Sequence, residues 1–155
     1  MGHSKEKVKL AANLQRQIHL LIKGHDVCDQ VCLVHHGVTA AQGYALLALP
    51  PEGSATMNEI SDALGIASST MTRTIDPLVA KELVYRAVDE VDRRIVRVGL
   101  TSQGLKTRNA IEESLQNFFV MVLDEIKGDD QAAVLSSMEL VTTAFNKTLK
   151  VCCPG

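Results

Sequence analysis

The 155-residue sequence has no tryptophan and only 3% aromatic residues. A core resting on stacked rings is therefore excluded. The 46% hydrophobic content suits helices packed through Leu, Val, Ile and Ala instead. No apolar run is long enough to cross a bilayer, and no signal peptide is visible. A cytoplasmic chain without a membrane partner is expected. The sequence also lacks a positive surplus: 16 Lys and Arg against 18 Asp and Glu give a net charge of -2. That excludes a uniformly basic protein, but the charge is unevenly placed. Residues 26–66 contain no Lys or Arg, whereas residues 67–108 contain eight against five acids. The length fits one domain or a compact pair of subdomains.

The basic surplus coincides with the most patterned stretch, residues 57–104. A helical pattern over 58–64, with Ile60, Ala63 and Leu64 toward a core, breaks at Gly65, where a left-handed residue would end it. A second helix opens near Ala67, with Ser68 or Ser69 as its cap. Met71, Ile75, Leu78 and Val79 point toward the core. Ser69, Thr70, Thr72 and Arg73 are left on the exposed face near the helix start. Two alternating runs, 83–88 and 95–100, flank a charged tip at 89–94. Helix, turn, helix and two-stranded wing make a winged helix-turn-helix. Hydroxyls and one Arg on the second helix suit the major groove of double-stranded DNA. Arg93 and Arg94 on the wing tip suit the minor groove or the backbone.

The run Ile60-Ser61-Asp62-Ala63-Leu64-Gly65, then Ser69-Thr70-Met71-Thr72-Arg73-Thr74-Ile75-Asp76-Pro77-Leu78, resembles the MarR (multiple antibiotic resistance regulator) family of transcription factors. Leu83-Val84-Tyr85-Arg86, Asp92-Arg93-Arg94 and Leu100-Thr101-Ser102-Gln103-Gly104 continue it. The resemblance implies a DNA-binding regulator, a repressor on a pseudo-palindromic operator, acting as a homodimer. It places DNA binding on Ser68, Ser69, Thr70, Thr72, Arg73, Asp92, Arg93 and Arg94. Two positions depart from the family pattern. Glu82 stands where a Gly usually ends the recognition helix. Pro77 lies inside that helix, where it removes the bond to the Arg73 carbonyl and predicts a kink.

The flanks read as long helices. In residues 5–34 a stripe runs through Leu14, Ile18, Leu21, His25, Cys28 and Cys32, with Gly24 as a bending point. His35-His36-Gly37 ends it. A second helix, capped by Thr39, runs to Pro50-Pro51, and Ala55-Thr56-Met57 is the expected short strand pairing with the wing. After the wing, a helix starting at Thr101 is expected to reach about Lys127, with Gly128-Asp129-Asp130 as a turn. The last helix carries Val134, Met138, Val141, Phe145, Leu149 and Cys152 on one face. The predicted fold is mainly α with a small β wing, a winged helix-turn-helix plus long dimerisation helices from both termini. Residues 1–36 and 105–155 form the helical dimerisation region and 37–104 the DNA-binding domain.

Four cysteines in a chain of this kind suggest reduced thiols. Cys28 and Cys32 lie one turn apart, and Cys152 and Cys153 are adjacent. Buried packing residues are one reading. A thiol-based redox or soft-metal sensor using Cys28, Cys32, Cys152 and Cys153 is another, with a third thiol from Cys152 or Cys153 joining the helical pair and His35 and His36 as candidate nitrogen ligands. The resemblance also implies a third effector class, a small aromatic or lipophilic ligand, whose pocket His25, His35, Tyr44 and the long helix after the wing would line. No cofactor is obligatory. The sequence shows no His on the helix after the wing, where zinc-sensing relatives carry theirs, and no Cys near Gln15, where peroxide-sensing ones do. An enzyme is not expected, because Cys32 beside His35 or His36 has no orienting acid or oxyanion hole. A protein-interaction module without DNA binding is the remaining alternative.

Overall fold

The computed structural model describes residues 4–152. Helix α1 (Lys5–Cys32) starts where the Ser4 hydroxyl accepts from the Lys7 amide. A 3-10 turn over Val34–His36 follows and closes on Gly37, whose φ of 73° suits glycine. Helix α2 (Ala40–Ala48) opens with a reciprocal cap between Thr39 and Gln42. The short strand β1 (Ser54–Thr56) leads straight into α3 (Met57–Leu64), capped by Thr56 with Glu59. Met57 is therefore the first residue of α3 and not of the strand. Its amide falls in the turn that the Thr56–Glu59 cap winds up.

Helix α4 (Ser68–Ala80) follows after Gly65, which ends α3 at φ 64°. Neither Ser68 nor Ser69 caps α4. The cap residue is Ala67, whose carbonyl accepts the Thr70 and Met71 amides, and the Ser68 hydroxyl turns away to donate to Asn58 Oδ1 at 3.1 Å. The helix runs on past Pro77, and its end is closed by the Lys81 amide on the Pro77 carbonyl. Glu82, with φ 57°, is the only non-glycine residue with positive φ among the described residues. The position thus keeps the left-handed conformation that glycine usually supplies.

Strands β2 (Val84–Val88) and β3 (Val96–Leu100) form the antiparallel wing, and β1 adds to the other side of β3, giving the order β1-β3-β2. Val84 faces Leu100 and Val88 faces Val96. Helix α5 (Ser102–Asp124) begins with the Thr101 hydroxyl accepting the Gly104 amide. It stops at Asp124, short of Lys127. Helix α6 (Gly128–Cys152) already includes Gly128, Asp129 and Asp130, so the reversal falls on residues 125–127. The Gln131 side chain holds that reversal by donating to the carbonyls of Leu123 and Ile126.

Contacts divide the chain into two compact units, residues 1–115 and 116–155. The first holds the core: Leu33, Leu46, Leu49, Ile60, Met71, Ile75, Leu78, Val98 and Ile111 are wholly or almost wholly buried. Each such side chain contributes roughly 1.5–3 kcal/mol by leaving water. Helices α2, α3 and α4 pack on one another, and α3 and α4 also pack on the sheet, which fixes the module that carries α4. Leu64 joins this core from α3, but Ala63 faces solvent. On α1 the stripe is buried only near its C-terminal end, with Ile18 partly covered. Cys28 is buried, while Leu14 and Leu21 are about half exposed at 48% and 55%. The second unit likewise leaves Val134, Met138, Phe145 and Leu149 exposed on α6.

Candidate nucleic-acid interface

The amphipathic split of α4 sets its two faces. Met71, Thr74, Ile75 and Leu78 are buried, so Ser68, Ser69, Thr70, Thr72 and Arg73 are left in solvent. The Thr72 hydroxyl donates to the Ser68 carbonyl at 3.2 Å, which fixes its oxygen on the helix surface with acceptor capacity to spare. No acidic residue stands in the first turn of α4. The partial positive charge of the helix start is thus left open to an anion.

The wing tip is organised by two carboxylates. Asp89 Oδ1 accepts the amides of Val91 and Asp92 at 2.9 and 3.0 Å, and Oδ2 accepts Arg97 Nε at 2.5 Å. Arg97 also donates to the Ser54 carbonyl, so the tip, β3 and β1 are tied through one guanidinium. The hydrogen bond from Arg97, then those from the Asp92 and Val91 amides, pull the Asp89 carboxyl down to about 2. Asp92 performs a second task. It accepts the Arg94 amide and both Nε and a terminal nitrogen of the Arg94 side chain at 2.9–3.1 Å. The side chain of Arg94 remains 91% exposed, so the pair aims the guanidinium outward without covering it. The Asp92 carboxyl is lowered by these bonds from Arg94. Arg93 is exposed beside it. The structure therefore brings every predicted DNA-contacting cation and hydroxyl to the surface, and places Asp92 as the brace of Arg94.

Sequence reading missed Asp89, Arg97 and the pair Arg86–Asp76, which joins β2 to α4 at 2.5 Å. The strand register contained the signal for the first two. With Val88 opposite Val96 and Ala87 opposite Arg97, Asp89 and Arg97 are diagonal neighbours of opposite charge.

The predicted effector residues fall into separate groups. Cys28 and Cys32 are together, with sulfurs 3.7 Å apart. Tyr44 donates to Asp29 Oδ1 at 2.7 Å and lies 3.4 Å from His25 Nε2, while His25 Nδ1 stands 3.5 Å from Asp29 Oδ2. Asp29, which sequence reading also missed, is thus the centre of this cluster, and it is 8% exposed. Burial, then the hydrogen bond with Cys32, pushes the Cys28 thiol up to about 11. Burial, then the bond to Asp29, also raises the Tyr44 phenol. His36 is directed elsewhere, 2.9 Å from Ser114 Oγ, and His35 meets it edge to face. Among the described residues no three His, Cys, Asp or Glu side chains converge as a metal site would require. Cys152 is exposed, and Cys153 lies outside the described residues.

A helix-turn-helix with an exposed polar recognition face, followed by a hairpin tipped with outward-facing arginines, defines a winged helix-turn-helix DNA-binding protein. A family model described as "MarR family" matches residues 36–95. The uncharacterized HTH-type transcriptional regulator YsmB of Bacillus subtilis is 32% identical over 107 residues, covering 66% of this chain and 70% of that protein. The HTH-type transcriptional repressor MdtR of the same organism is 35% identical over 68 residues, covering 44% of each chain. Among solved structures, the reduced form of MarR from E. coli matches with a TM-score of 0.73 and 26% identity, over 83% of this chain and 95% of that one. A mutant MarR from E. coli complexed with operator DNA matches with a TM-score of 0.72 and 25% identity, over 83% and 93%. The chain belongs to the MarR family, and it is a DNA-binding transcription regulator. No helix among the described residues is long and apolar enough to cross a membrane.

Proposed function

We propose that the protein is a homodimeric repressor that binds a pseudo-palindromic operator in the cytoplasm and is released by an effector. The observation that carries this reading is the shared exposure of the α4 hydroxyl face with Arg73 and of the Arg93–Arg94 tip. Ser68, Ser69, Thr70, Thr72 and Arg73 enter the major groove, and Arg93 and Arg94 reach the minor groove or backbone, with Asp92 aiming Arg94. Similarity to the repressor MdtR supports repression, and similarity to a MarR solved with operator DNA supports the docking mode. The half-exposed stripes on α1 and α6 support dimerisation, since long helices need a partner to bury such surface.

We assign the effector site to Cys28, Cys32, His25 and Tyr44, a reading supported by the nearness of a buried thiol, a partly exposed one, a buried carboxylate and a phenol. His35 and Cys152 stand apart from this cluster and are not needed for it. An effector there is a small aromatic ligand or a soft metalloid that alters how α2 supports α4. The test is selection of a duplex from a random library, followed by footprinting. A protected inverted repeat with half-sites about one DNA turn apart is expected. Failure to enrich any duplex would instead favour an interaction module.

A further inference from the structure

Cys28 and Cys32 present a geometry that a disulfide does not fit and a chelate does. Residues one turn apart on a helix hold their Cβ atoms about 5–6 Å apart, whereas a disulfide wants about 3.8 Å. Closing that bond would distort α1. The two sulfurs nonetheless already stand 3.7 Å apart, one buried and one partly exposed. A soft centre with bonds to sulfur of about 2.3 Å spans roughly 3.4–3.8 Å between two sulfurs, for bond angles from near-right to tetrahedral. The pair is thus spaced for one bridging atom. Among the described residues no third His, Cys, Asp or Glu joins the pair, so they offer that atom two protein ligands. Zinc takes four ligands in structural sites. A trivalent arsenic that keeps one substituent of its own takes two thiols and no more.

We propose that Cys28 and Cys32 form a dithiol site for mono-substituted trivalent arsenic compounds, and that its occupation is passed through α2 to α4. The chemistry is a condensation without electron transfer. With an arsine oxide, two S–H bonds and the arsenic–oxygen bonding are replaced by two arsenic–sulfur bonds, and both protons leave with the oxygen as one water. No oxidant is required. Burial keeps the Cys28 thiol protonated, which disfavours attack on a peroxide by that thiol, since the attack needs a thiolate.

The link to α4 is a set of contacts. Asp29, between the two cysteines in sequence, takes the Tyr44 hydroxyl of α2 at 2.7 Å. Leu33, next to Cys32, is fully buried with its δ carbons against Gly43, where even a methyl group would meet them at 3.0–3.3 Å. From α2 the contact continues to the end of α4. Lys81 donates to Gln42 Oε1 at 3.1 Å and to the Gly37 carbonyl at 2.7 Å. Drawing the two thiols onto one arsenic shifts the turn of α1 that carries Asp29 and Leu33. The tight fit at Gly43 passes that shift to α2. This second half of the proposal rests on α4 being the DNA-contacting helix, and the first half does not.

The test uses full-length protein with Cys152→Ser and Cys153→Ser, so that only the helical pair remains, and phenylarsine oxide as the probe. Intact-mass spectrometry is expected to show one phenylarsenic adduct per chain with loss of one water. The adduct should disappear on adding a small dithiol, and should be absent in Cys32→Ser and in Cys28→Ser. Cys32 is the less buried of the two, so its variant guards against a folding defect in the other. No adduct in the folded parent protein, or an adduct that survives either single substitution, overturns the site. Anisotropy with a library-selected duplex then reads the coupling. The arsenical is expected to weaken binding by roughly tenfold, and by much less in Tyr44→Phe, which keeps the adduct. An adduct with unchanged DNA affinity overturns the coupling alone. A protein that binds no duplex even without arsenical refutes the regulator reading, and the adduct measurement still decides the site.

Discussion

In the proposed docking, single side chains divide into those that would meet DNA and those that hold them ready. Arg94 belongs to the first kind and is gripped by Asp92 from below, and Arg73 stands on α4 with its side chain in solvent. Arg73→Ala is expected to cost about 1–3 kcal/mol of operator affinity if it grips a base edge, with most of the loss on the preferred sequence. Arg94→Ala should weaken binding to all duplexes and lower the salt slope by about one for each subunit. Anisotropy titrations over a salt series separate the two patterns, and sedimentation should show the dimer intact in both. Asp92→Ala is expected to lose less than Arg94→Ala, because an exposed ion pair contributes little by itself and only the aim of the guanidinium is lost. Asp89 belongs to the holding kind. Its carboxyl is depressed from 3.8 to about 2, chiefly by Arg97. The folded state therefore binds fewer protons than the unfolded state between those values, so stability falls as pH falls. The contribution is complete above about pH 4 and is lost as pH drops toward 2. Asp89→Asn should thus be less stable than the parent at neutral pH, with the gap closing in acid, as followed by urea melts at several pH values. A gap independent of pH would mean that the charge of Asp89 is not what holds the tip. Cys28 gives the opposite sign. Its thiol keeps its proton to about 11 in the fold, so stability should fall as pH rises from about 9 toward 11.

At the scale of elements, the signals that proved legible were local ones. Gly65 and Gly37 end helices in the left-handed conformation, and Thr39 caps α2 with its own Gln42, so these boundaries follow from three or four neighbouring residues. The wing strands were placed to within a residue because alternation is also local. What failed depended on partners far along the chain. Ser68 has the side chain of a cap, but Asn58, ten residues earlier, offers an acceptor, and that competition is invisible in the helix itself. The end of α5 was misplaced because the Gln131 side chain, from the next helix, claims the carbonyls of Leu123 and Ile126. Around Asp29 the thiols, His25 and the phenol are legible in the sequence, but the buried carboxylate that joins them is not. The Leu-Thr-x-x-Gly motif, recognised by resemblance, gains its physical reason here. The Thr101 hydroxyl donates toward the Glu82 carbonyl and accepts the Gly104 amide, while a Cβ at Gly104 would stand 1.7 Å from the Leu83 carbonyl oxygen. The start of α5 is thereby pressed against the end of the turn after α4. Gly104→Ala should destabilise by roughly 3 kcal/mol, the upper part of the overpacking range, since the obstacle is backbone and cannot swing away. Glu82→Gly should act the other way. It relieves a left-handed side chain and is expected to add about 1 kcal/mol, read as a shift of the urea midpoint at constant slope.

For the whole molecule the proposed dimer rests on how charge and apolar surface are distributed along the chain. The net charge is -2, with the basic surplus confined to residues 67–108 and to the first helix. One winged module offers few phosphate contacts, and affinity in the operator range asks for two. The exposed Phe145 and Leu149 of α6, at 52% and 45%, are surface that a partner subunit would cover. These two quantities are linked in the proposed dimer, so one substitution should move both. Phe145→Glu places a charge where that partner is expected, at a position the residue 116–155 unit does not itself bury. Sedimentation is expected to shift from dimer to monomer, with helical content by circular dichroism nearly unchanged. Because each monomer then carries one recognition helix and one wing, the salt slope of DNA binding should fall to about half, and the two-half-site footprint should shrink to non-specific protection. A variant that turns monomeric yet keeps the parent slope and footprint would show that one subunit suffices, and the coupling of α6 to operator recognition would have to be given up.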